Sequence, residues 1–256
     1  MSKQKTPTRR NNGNKFEILN QRPISAWKWP KIAVFVPMLP AWPFADEVWP
    51  YFNEIARTGV DFVYHPFGTI DSVRNRVCEA VLMSDWTHIL MLDADQKHQI
   101  DIVQMMARHV IEDPKRLIIG GLYYNRREPF LPLAWIEQDG ELYQIHKWEK
   151  GLIEGLALIA GGCMLIDKRV FEMIERPWFY NSYKGIQENK GDFVFPTEDI
   201  GFCRKAREAG ITIYLDTTIN SPHARSGWVD EQTYRTYCDM HPEDPELFKE
   251  LTCEKI

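Results

Sequence analysis

One short segment, residues 88–95, constrains the fold of this chain more than any other. Its apolar run Ile-Leu-Met-Leu predicts a buried strand, and Asp93-Ala94-Asp95 follow the run directly. In open α/β sheets the binding crevice lies beyond the carboxyl ends of the strands, so two carboxylates there would present oxygen ligands to a divalent cation. Alternatively, both aspartates only stabilise a turn through side-chain hydrogen bonds to the backbone. The segment predicts an α/β fold with a metal site or an acidic turn at one strand end.

Composition limits the classes of protein to which the chain can belong. The 256 residues are 44% hydrophobic and 12% aromatic, which suits one domain of catalytic size. The net charge of −5 gives no general attraction to nucleic acid or anionic membranes. The longest strongly apolar stretch, residues 155–166, is shorter than the roughly 20 residues that span a bilayer. With no secretory signal pattern and no Cys-X-X-Cys pair, we expect a reduced, cytoplasmic protein without a transmembrane segment.

Three segments are expected along the chain. Residues 1–15 are polar and basic, which predicts a disordered tail. Residues 28–228 form one α/β domain, and residues 229–256 form an acidic helical extension. The tail either adds solubility or makes salt-sensitive contacts with an anionic polymer such as nucleic acid. Its basic residues are Lys3, Lys5, Arg9, Arg10 and Lys15.

Alternating strand and helix patterns predict the order of the elements. Strands are expected at 32–37, 60–64, 88–92, 117–122, 156–166 and 211–215, and helices at 42–57, 70–83, 100–111, 168–174 and 198–209. Residues 128–150 are expected to form an inserted β-hairpin around Asp139-Gly140. The helix at 70–83 has Asp71 or Ser72 as its predicted N-cap, so Arg74 lies in its first turn. Arg74 there would bind a phosphate or a base edge, or make a surface ion pair.

Three further features in the second half of the chain are candidates for a site. Gly161-Gly162 interrupt a predicted strand, which indicates a ligand close to the backbone or a packing kink. Glu198 and Asp199 begin a predicted helix, where acidic side chains also stabilise the helix dipole. His223 lies on a loop after the last predicted strand, as a metal ligand or an ordinary loop residue.

Taken in order, these features resemble the GT-A glycosyltransferases, particularly the inverting type of family 2. The resemblance covers residues 31–226 and rests on the proline-ended first strand, Arg74, Leu-Asp-Ala-Asp, Gly-Gly-Cys-Met-Leu-Ile, Glu-Asp before Phe-Cys-X-X-Ala-X-X-Ala-Gly, and the late histidine. It implies a Rossmann-like fold for nucleotide-diphospho-sugar transfer, with a mixed sheet flanked by helices. It also implies a nucleoside-diphosphate sugar donor and a bound Mn²⁺ or Mg²⁺, with Mn²⁺ favoured by a histidine ligand. The acceptor class, whether glycan, lipid, protein or nucleic acid, stays open.

The resemblance also suggests roles for individual residues. The catalytic base would be Asp199, and an inverting mechanism follows if it acts so. The metal ligands would be Asp95 and His223, with Asp93 near the metal or the ribose. The residues expected to contact the nucleotide sugar are Pro37, Arg74, Asp93, Ala94 and Asp95. The residues expected on the acceptor side are Gly161, Gly162, Glu198 and Trp178.

Three other functions stay open at the level of sequence. A retaining GT-A transferase would use the acid at 199 only to hold the acceptor. A non-catalytic module that binds nucleotide sugars or glycans would need Asp95 but not Asp199. A nucleotidyltransferase would share the metal chemistry, although the first strand is followed by Pro37-Met38-Leu39-Pro40 and not by a glycine-rich phosphate loop. Since the Gln-X-X-Arg-Trp motif of processive synthases is absent, we do not expect polymerisation.

Overall fold

The computed structural model describes residues 30–37, 45–65, 68–181, 186–188, 192–194, 197–225 and 227–244. The strands are β1 (Ile32–Pro37), β2 (Asp61–His65), β3 (His88–Leu92), β4 (Ile118–Leu122), β5 (Ala134–Gln138), β6 (Glu141–Gln144), β7 (Leu152–Glu154), β8 (Leu158–Ile159), β9 (Cys163–Asp167), β10 (Ile186–Glu188), β11 (Asp192–Val194), β12 (Ile213–Asn220), β13 (His223–Ala224) and β14 (Trp228–Val229). The helices are α1 (Ala45–Ala56), α2 (Ile70–Met83), α3 (Ile102–Glu112), α4 (Lys168–Met173), α5 (Glu198–Glu208) and α6 (Glu231–Met240).

A mixed sheet of order β2-β1-β3-β9-β4-β12-β7 forms the centre of the described residues. Strand β1 is parallel to β2 and β3, and β12 is parallel to β4. Strand β9 runs antiparallel between β3 and β4, and β7 is an antiparallel edge strand. Because β3 and β4 both oppose β9, the carboxyl ends of β1, β3, β4 and β12 lie at one edge of the sheet. The predicted mixed α/β sheet flanked by helices is confirmed.

Each face of this sheet carries its own hydrophobic layer. Phe35 of β1 packs into the layer that also holds Val77 of α2 and Phe202 of α5. Its neighbour Val34 packs into the opposite layer, with Phe52 of α1 and residues of α3. Successive side chains of a strand point to opposite faces, so a strand covered on both sides must be apolar throughout. This explains why β1 and β3 are continuous apolar runs and not alternating ones.

The inserted hairpin is observed as predicted. Strand β5 pairs antiparallel with β6, and Gln138 lies opposite Glu141. The two residues between them, Asp139 and Gly140, have φ angles of 54° and 81°. Two positive φ angles match the right-handed twist of a two-residue hairpin, which is why Asp-Gly occurs there.

Two local predictions are wrong. Helix α2 has the predicted bounds, but its N-cap is Thr69, two residues before Asp71, so Arg74 is the fifth helical residue and lies beyond the first turn. The strand expected at 156–166 is two strands, since β8 pairs with β5 in a separate sheet and β9 enters the main sheet. The chain turns between them at Gly161-Gly162. Apolar periodicity reports burial, and it does not report which sheet a strand joins.

The ends of the chain lie outside the described residues, and they include the predicted basic tail at 1–15 and residues 245–256. Within the predicted extension, α6 packs through Tyr234, whose ring stacks on Tyr124 and Trp148. In the described part of the chain, cysteines 78, 163, 203 and 238 are free thiols. No helix among the described residues combines the length and the apolar character that a membrane crossing needs.

Candidate active site

The acidic turn after β3 is fastened to the segment that follows β12. The backbone N–H of Lys97 donates to the Pro222 carbonyl over 2.9 Å, and that of Ala224 donates to the Asp95 carbonyl over 2.8 Å. Between these two bonds, His223 forms an isolated β-bridge with the residue that follows Asp95. Parallel strands β3 and β12 both end at this edge, so backbone pairing alone brings His223 beside Asp95.

A buried histidine inside the turn adds a second fastening. His98 Nε2 lies 3.1 Å from the Asp93 carbonyl oxygen, and Nδ1 lies 3.0 Å from Ser221 Oγ. A carbonyl only accepts, so Nε2 carries the hydrogen and Nδ1 accepts from the serine hydroxyl. Burial lowers the pKa of His98 to about 4. The ring is therefore neutral near pH 7, and its two hydrogen bonds connect the backbone of the turn to Ser221.

Asp95 and His223 form the part of the site that suits a metal ion. His223 Nε2 lies 3.2 Å from Asp95 Oδ2, and His223 Nδ1 lies 2.9 Å from the Tyr124 carbonyl oxygen. Because that carbonyl only accepts, Nδ1 carries a hydrogen, and Nε2 either carries a second proton or directs its lone pair toward the carboxylate side. A cation bound between Nε2 and the carboxylate would satisfy both groups. One carboxylate and one oriented imidazole fit Mn²⁺, with His223 positioned through its other nitrogen.

The charge on Asp95 is also balanced by an arginine. Arg126 Nη1 lies 3.1 Å from Asp95 Oδ2. Burial alone would raise the pKa of Asp95, but the hydrogen bond to His223 and the charges of His223 and Arg126 outweigh it, so this pKa is lowered. Among the described residues, no group of three or more His, Cys, Asp or Glu side chains is arranged around a metal position. Two protein ligands suffice where substrate phosphates and water complete the coordination.

Arg74 forms the inner part of the site. Its side chain is 3% exposed, with Nη2 3.1 Å from Asp93 Oδ1 and Nη1 3.0 Å from Glu198 Oε1. Burial opposes its charge, but the nearby carboxylates of Asp93, Glu198 and Asp199 outweigh burial and raise the pKa of Arg74. The guanidinium is permanently charged and joins the turn after β3 to the first turn of α5. The sequence suggested that Arg74 binds a phosphate or a base edge, or makes a surface ion pair. These contacts show an ion pair, and it is buried and not on the surface.

The paired glycines are required because polar side chains approach their backbone. A Cβ on Gly161 would lie 1.9 Å from Arg74 Nη1, and one on Gly162 would lie 2.3 Å from Gln96 Nε2 and 2.6 Å from Tyr123 Oη. All three distances are far shorter than any carbon contact allows. The backbone N–H of Gly162 donates to Tyr123 Oη over 2.8 Å. The close approach predicted at this turn is therefore made by the protein's own side chains.

Asp199 is held by two backbone N–H groups. Its Oδ2 accepts from Gly161 N over 2.9 Å, and its Oδ1 accepts from Ile200 N over 2.9 Å and also pairs with the Thr197 hydroxyl. These donors fix the carboxylate across the glycine turn from Arg74. In the neighbouring Glu198, burial, opposed by Arg74 and reinforced by Asp199, raises the pKa to about 7.

An asparagine and a phenylalanine connect α2 to α5 behind this site. Asn75 Oδ1 accepts from the backbone of Trp178 and Phe179, and Asn75 Nδ2 donates to the Phe179 carbonyl over 2.7 Å. The Phe179 ring stacks on Phe202 of α5 with centroids 4.5 Å apart. The Arg74 guanidinium lies 5.6 Å from the centre of the Phe179 ring. Packing and ion pairing together thus fix α5, which carries both acids.

The predicted site residues do not all lie together. The prediction that Trp178 lies on the acceptor side is wrong. Its side chain is 2% exposed, and its indole N–H donates to the Phe171 carbonyl over 3.0 Å. It belongs to the hydrophobic core and presents no face to an acceptor. Ala94 is buried in the layer beneath the turn, and Pro37 is half-buried at the end of β1. The eight remaining residues gather at the carboxyl edge of the sheet; they are Arg74, Asp93, Asp95, Gly161, Gly162, Glu198, Asp199 and His223.

Sequence reasoning did not identify three polar residues of this site: Gln96, His98 and Arg126. Arg126 follows a strand that ends at the same sheet edge as β3, so the rule that singled out Asp95 also applies to it. His98 lies in the acidic turn itself. Nothing local to Gln96 indicates that its side chain is buried against Gly162.

Comparisons with known proteins identify the fold. No protein-family model matches this chain, and no curated protein matches its sequence. The crystal structure of A197 from STIV is similar at a TM-score of 0.52 and 16% identity, over 76% of this chain and 86% of that chain. At this identity, the likeness shows a shared fold only.

Two glycosyltransferase structures are also similar, more remotely. One is GalNAc-T7 with UDP, GalNAc and Mn²⁺, at a TM-score of 0.49 and 9% identity, over 83% of this chain and 48% of that chain. The other is a glycosyltransferase involved in the glycosylation of the major capsid of PBCV-1, at a TM-score of 0.34 and 15% identity, over 58% of this chain and 69% of that chain. At these TM-scores, neither likeness supports a conclusion about this chain.

Proposed function

We propose that this chain is a metal-dependent glycosyltransferase that moves a sugar from a nucleoside-diphosphate sugar to an acceptor hydroxyl. One observation carries the proposal: buried Arg74 pairs with Asp93 on one side and with Glu198 on the other. The acidic turn and the acidic helix start, which are far apart in the sequence, therefore meet at one sheet edge. Sugar transfer needs two neighbouring acidic groups. One binds the cation that holds the donor diphosphate, and the other accepts the proton of the acceptor hydroxyl.

Asp95 and His223 would hold the cation. When bound, it would stabilise the negative charge that develops on the leaving nucleoside diphosphate. The oxygen and imidazole donors favour Mn²⁺ over Mg²⁺. Asp93, whose Oδ1 is occupied by Arg74, is proposed to contact the ribose or the metal region through its other oxygen. Pro37 would lie along the nucleotide, and Ala94, whose side chain is buried beneath the turn, would contact it only through backbone atoms.

Asp199 is the proposed general base of an inverting reaction. The acceptor oxygen attacks the anomeric carbon, the bond from that carbon to the phosphate oxygen breaks, and the acceptor proton passes to the Asp199 carboxylate. Its three donors, the N–H groups of Gly161 and Ile200 and the Thr197 hydroxyl, leave about one acceptor position free, since an ionised carboxylate has about four. Such a base contributes about 10²–10⁴ in rate. Glu198 is less suited, because it is committed to Arg74 and buried.

The proposal is tested by a screen of nucleotide sugars with and without Mn²⁺, measuring released nucleoside diphosphate and the shift in melting temperature. We expect Mn²⁺-dependent release from one donor. The Asp95→Asn variant should lose both the release and the metal-dependent shift. Asp101→Asn is the matched control, because Asp101 is exposed, lies just after the same turn and makes no capping bond.

Two results would contradict the proposal. Unchanged Mn²⁺-dependent binding of UDP and GDP by Asp95→Asn would remove Asp95 from the metal site. Tight donor binding without any release, across a broad set of acceptors, would show a binding module and not an enzyme.

The acceptor class is proposed from the basic tail. Lysines and arginines within residues 1–15 would add sequence-independent contacts to a polyanionic acceptor such as nucleic acid. The acceptor set should therefore contain anionic polymers, tested at several salt concentrations with the full chain and with residues 1–15 deleted. Equal turnover of both chains on every acceptor would remove the support for a polyanion.

A further inference from the structure

One oxygen atom of the candidate metal site has two nitrogen partners. Asp95 Oδ2 lies 3.2 Å from His223 Nε2 and 3.1 Å from Arg126 Nη1. The two partners differ in exposure, because the His223 side chain is 11% exposed and the Arg126 side chain is 49% exposed. Arg126 therefore covers the outer side of this carboxylate, where a ligand would enter.

The loop that carries Arg126 has a defined backbone. The N–H of Asn125 donates to the Leu131 carbonyl over 2.8 Å, and the N–H of Phe130 donates to the Arg127 carbonyl over 2.8 Å. The N–H of Arg127 donates to Asn125 Oδ1 over 3.0 Å. With its backbone held in this way, Arg126 can change partner by turning its side chain alone.

A metal ion and Arg126 would compete for Asp95. A bound divalent cation lies about 2.1 Å from a ligand oxygen, so it would occupy the region beside Oδ2 toward which the guanidinium now points. Two like charges so close repel each other strongly. Among the ion pairs of the described residues, Arg126 takes part only in the one with Asp95, so its displacement breaks no other ion pair there.

The other cations around this edge are engaged differently. Lys97 Nζ lies between the rings of Tyr51 and Trp228, 4.9 Å and 4.6 Å from their centroids. Arg225 lies 5.3 Å from the centroid of the Phe130 ring and 3.6 Å from a Glu128 carboxylate oxygen. Arg126 is the cation whose partner is the proposed metal ligand itself.

We propose that Arg126 is an exchangeable counter-ion of this site: it neutralises Asp95 without donor, and moves to the donor's diphosphate when metal and donor bind. This inference rests on the proposed function. A guanidinium presents a planar fork of donors that matches two phosphate oxygens, and half-exposure allows it to turn. On the diphosphate, it would also stabilise the charge left there when the sugar departs.

The test measures two affinities of one variant, for Mn²⁺ and for a nucleoside diphosphate, and the two are expected to change in opposite directions. In Arg126→Ala, Mn²⁺ alone should bind about 10-fold more tightly than in the unmodified chain, because its competitor for Asp95 is gone. In the same variant, UDP or GDP at saturating Mn²⁺ should bind about 10-fold more weakly, because a charge-assisted contact to the diphosphate is lost. Calorimetry measures both affinities without any turnover.

Arg127→Ala is the matched control. Arg127 is the next residue, its side chain is exposed, and the hydrogen bond of its backbone N–H survives the substitution. Both of its affinities should equal those of the unmodified chain. Arg126→Lys, which keeps the charge and loses the fork, should keep the weak Mn²⁺ affinity and only part of the nucleotide affinity.

The outcomes separate this inference from the proposed function. If Arg126→Ala matches Arg127→Ala in both titrations, or weakens both affinities together, the exchange is overturned while the proposed function stands. If the unmodified chain binds neither Mn²⁺ nor Mn²⁺ with UDP or GDP, the proposed function and this inference fail together.

Discussion

The inner and outer halves of the candidate site use arginine in opposite ways. In the inner half, Arg74 is 3% exposed and lies between Asp93 and Glu198. In the outer half, Arg126 is 49% exposed and shares Asp95 with His223. Removing one member of a buried pair costs about 3–5 kcal/mol and a solvent-exposed pair is worth about 0–1 kcal/mol; the pair of half-exposed Arg126 with Asp95, itself 10% exposed, lies between these limits. The inner pairs therefore fix positions, and the outer pair can be exchanged for a ligand.

The largest expected effect comes from forcing the inner pair apart. In Gly161→Ala the new Cβ would lie 1.9 Å from Arg74 Nη1, so the guanidinium must leave its place between the carboxylates. We expect a loss of about 3–5 kcal/mol in the free energy of unfolding, measured with urea, and a loss of transfer. Gly227→Ala is the control, since a Cβ there has open space. A Gly161→Ala protein as stable as this control would show that the inner pair fixes nothing.

The second effect concerns chemistry within the same inner half. Asp199→Asn should keep donor affinity and lower transfer by at least about 10², because an amide nitrogen cannot accept the acceptor's proton. Since both oxygens of Asp199 accept backbone N–H groups, the melting temperature must be measured too. Nearly native transfer by a stable Asp199→Asn protein would exclude Asp199 as the base and favour Glu198 or a retaining reaction.

The sequence was sufficient to predict the helices and strands and the sheet edge at which the site lies. It was insufficient to predict which side chains contact each other there. Strand β1 and strand β3 were predicted at their observed bounds, because doubly covered strands are uninterrupted apolar runs that stop at proline or aspartate. The bridge from Arg74 to Glu198 depends on the tertiary path of the chain, which no spacing encodes. Trp178 was misplaced for a related reason, since a loop aromatic looks exposed until Asn75 is seen to bind its backbone.

The third effect depends on pH and concerns the turn that joins the two halves. Burial lowers the pKa of His98 from 6.5 to about 4, so between these values the unfolded chain binds more protons than the folded one. The contribution of His98 to stability is therefore full above pH 6.5 and is lost as the pH falls toward 4. The stability of the unmodified chain relative to His98→Gln should fall by up to about 3 kcal/mol over that range, measured by urea unfolding. A difference that does not change with pH would mean that the imidazole is not buried in neutral form.

The smallest effect is expected in the outer half, from the loss of one imidazole ligand. In His223→Ala the turn should persist, because it is fastened by backbone bonds from Lys97 to Pro222 and from Ala224 to Asp95. Only the ring is removed, so Mn²⁺-dependent binding of UDP or GDP should weaken about 10-fold, well short of the loss expected for Asp95→Asn. His241→Ala, which removes an imidazole at the end of α6, is the control for calorimetry. Equal Mn²⁺ affinity in the His223→Ala and His241→Ala proteins would show that His223 only orders the turn, and the outer half would then depend on Asp95 and Arg126 alone.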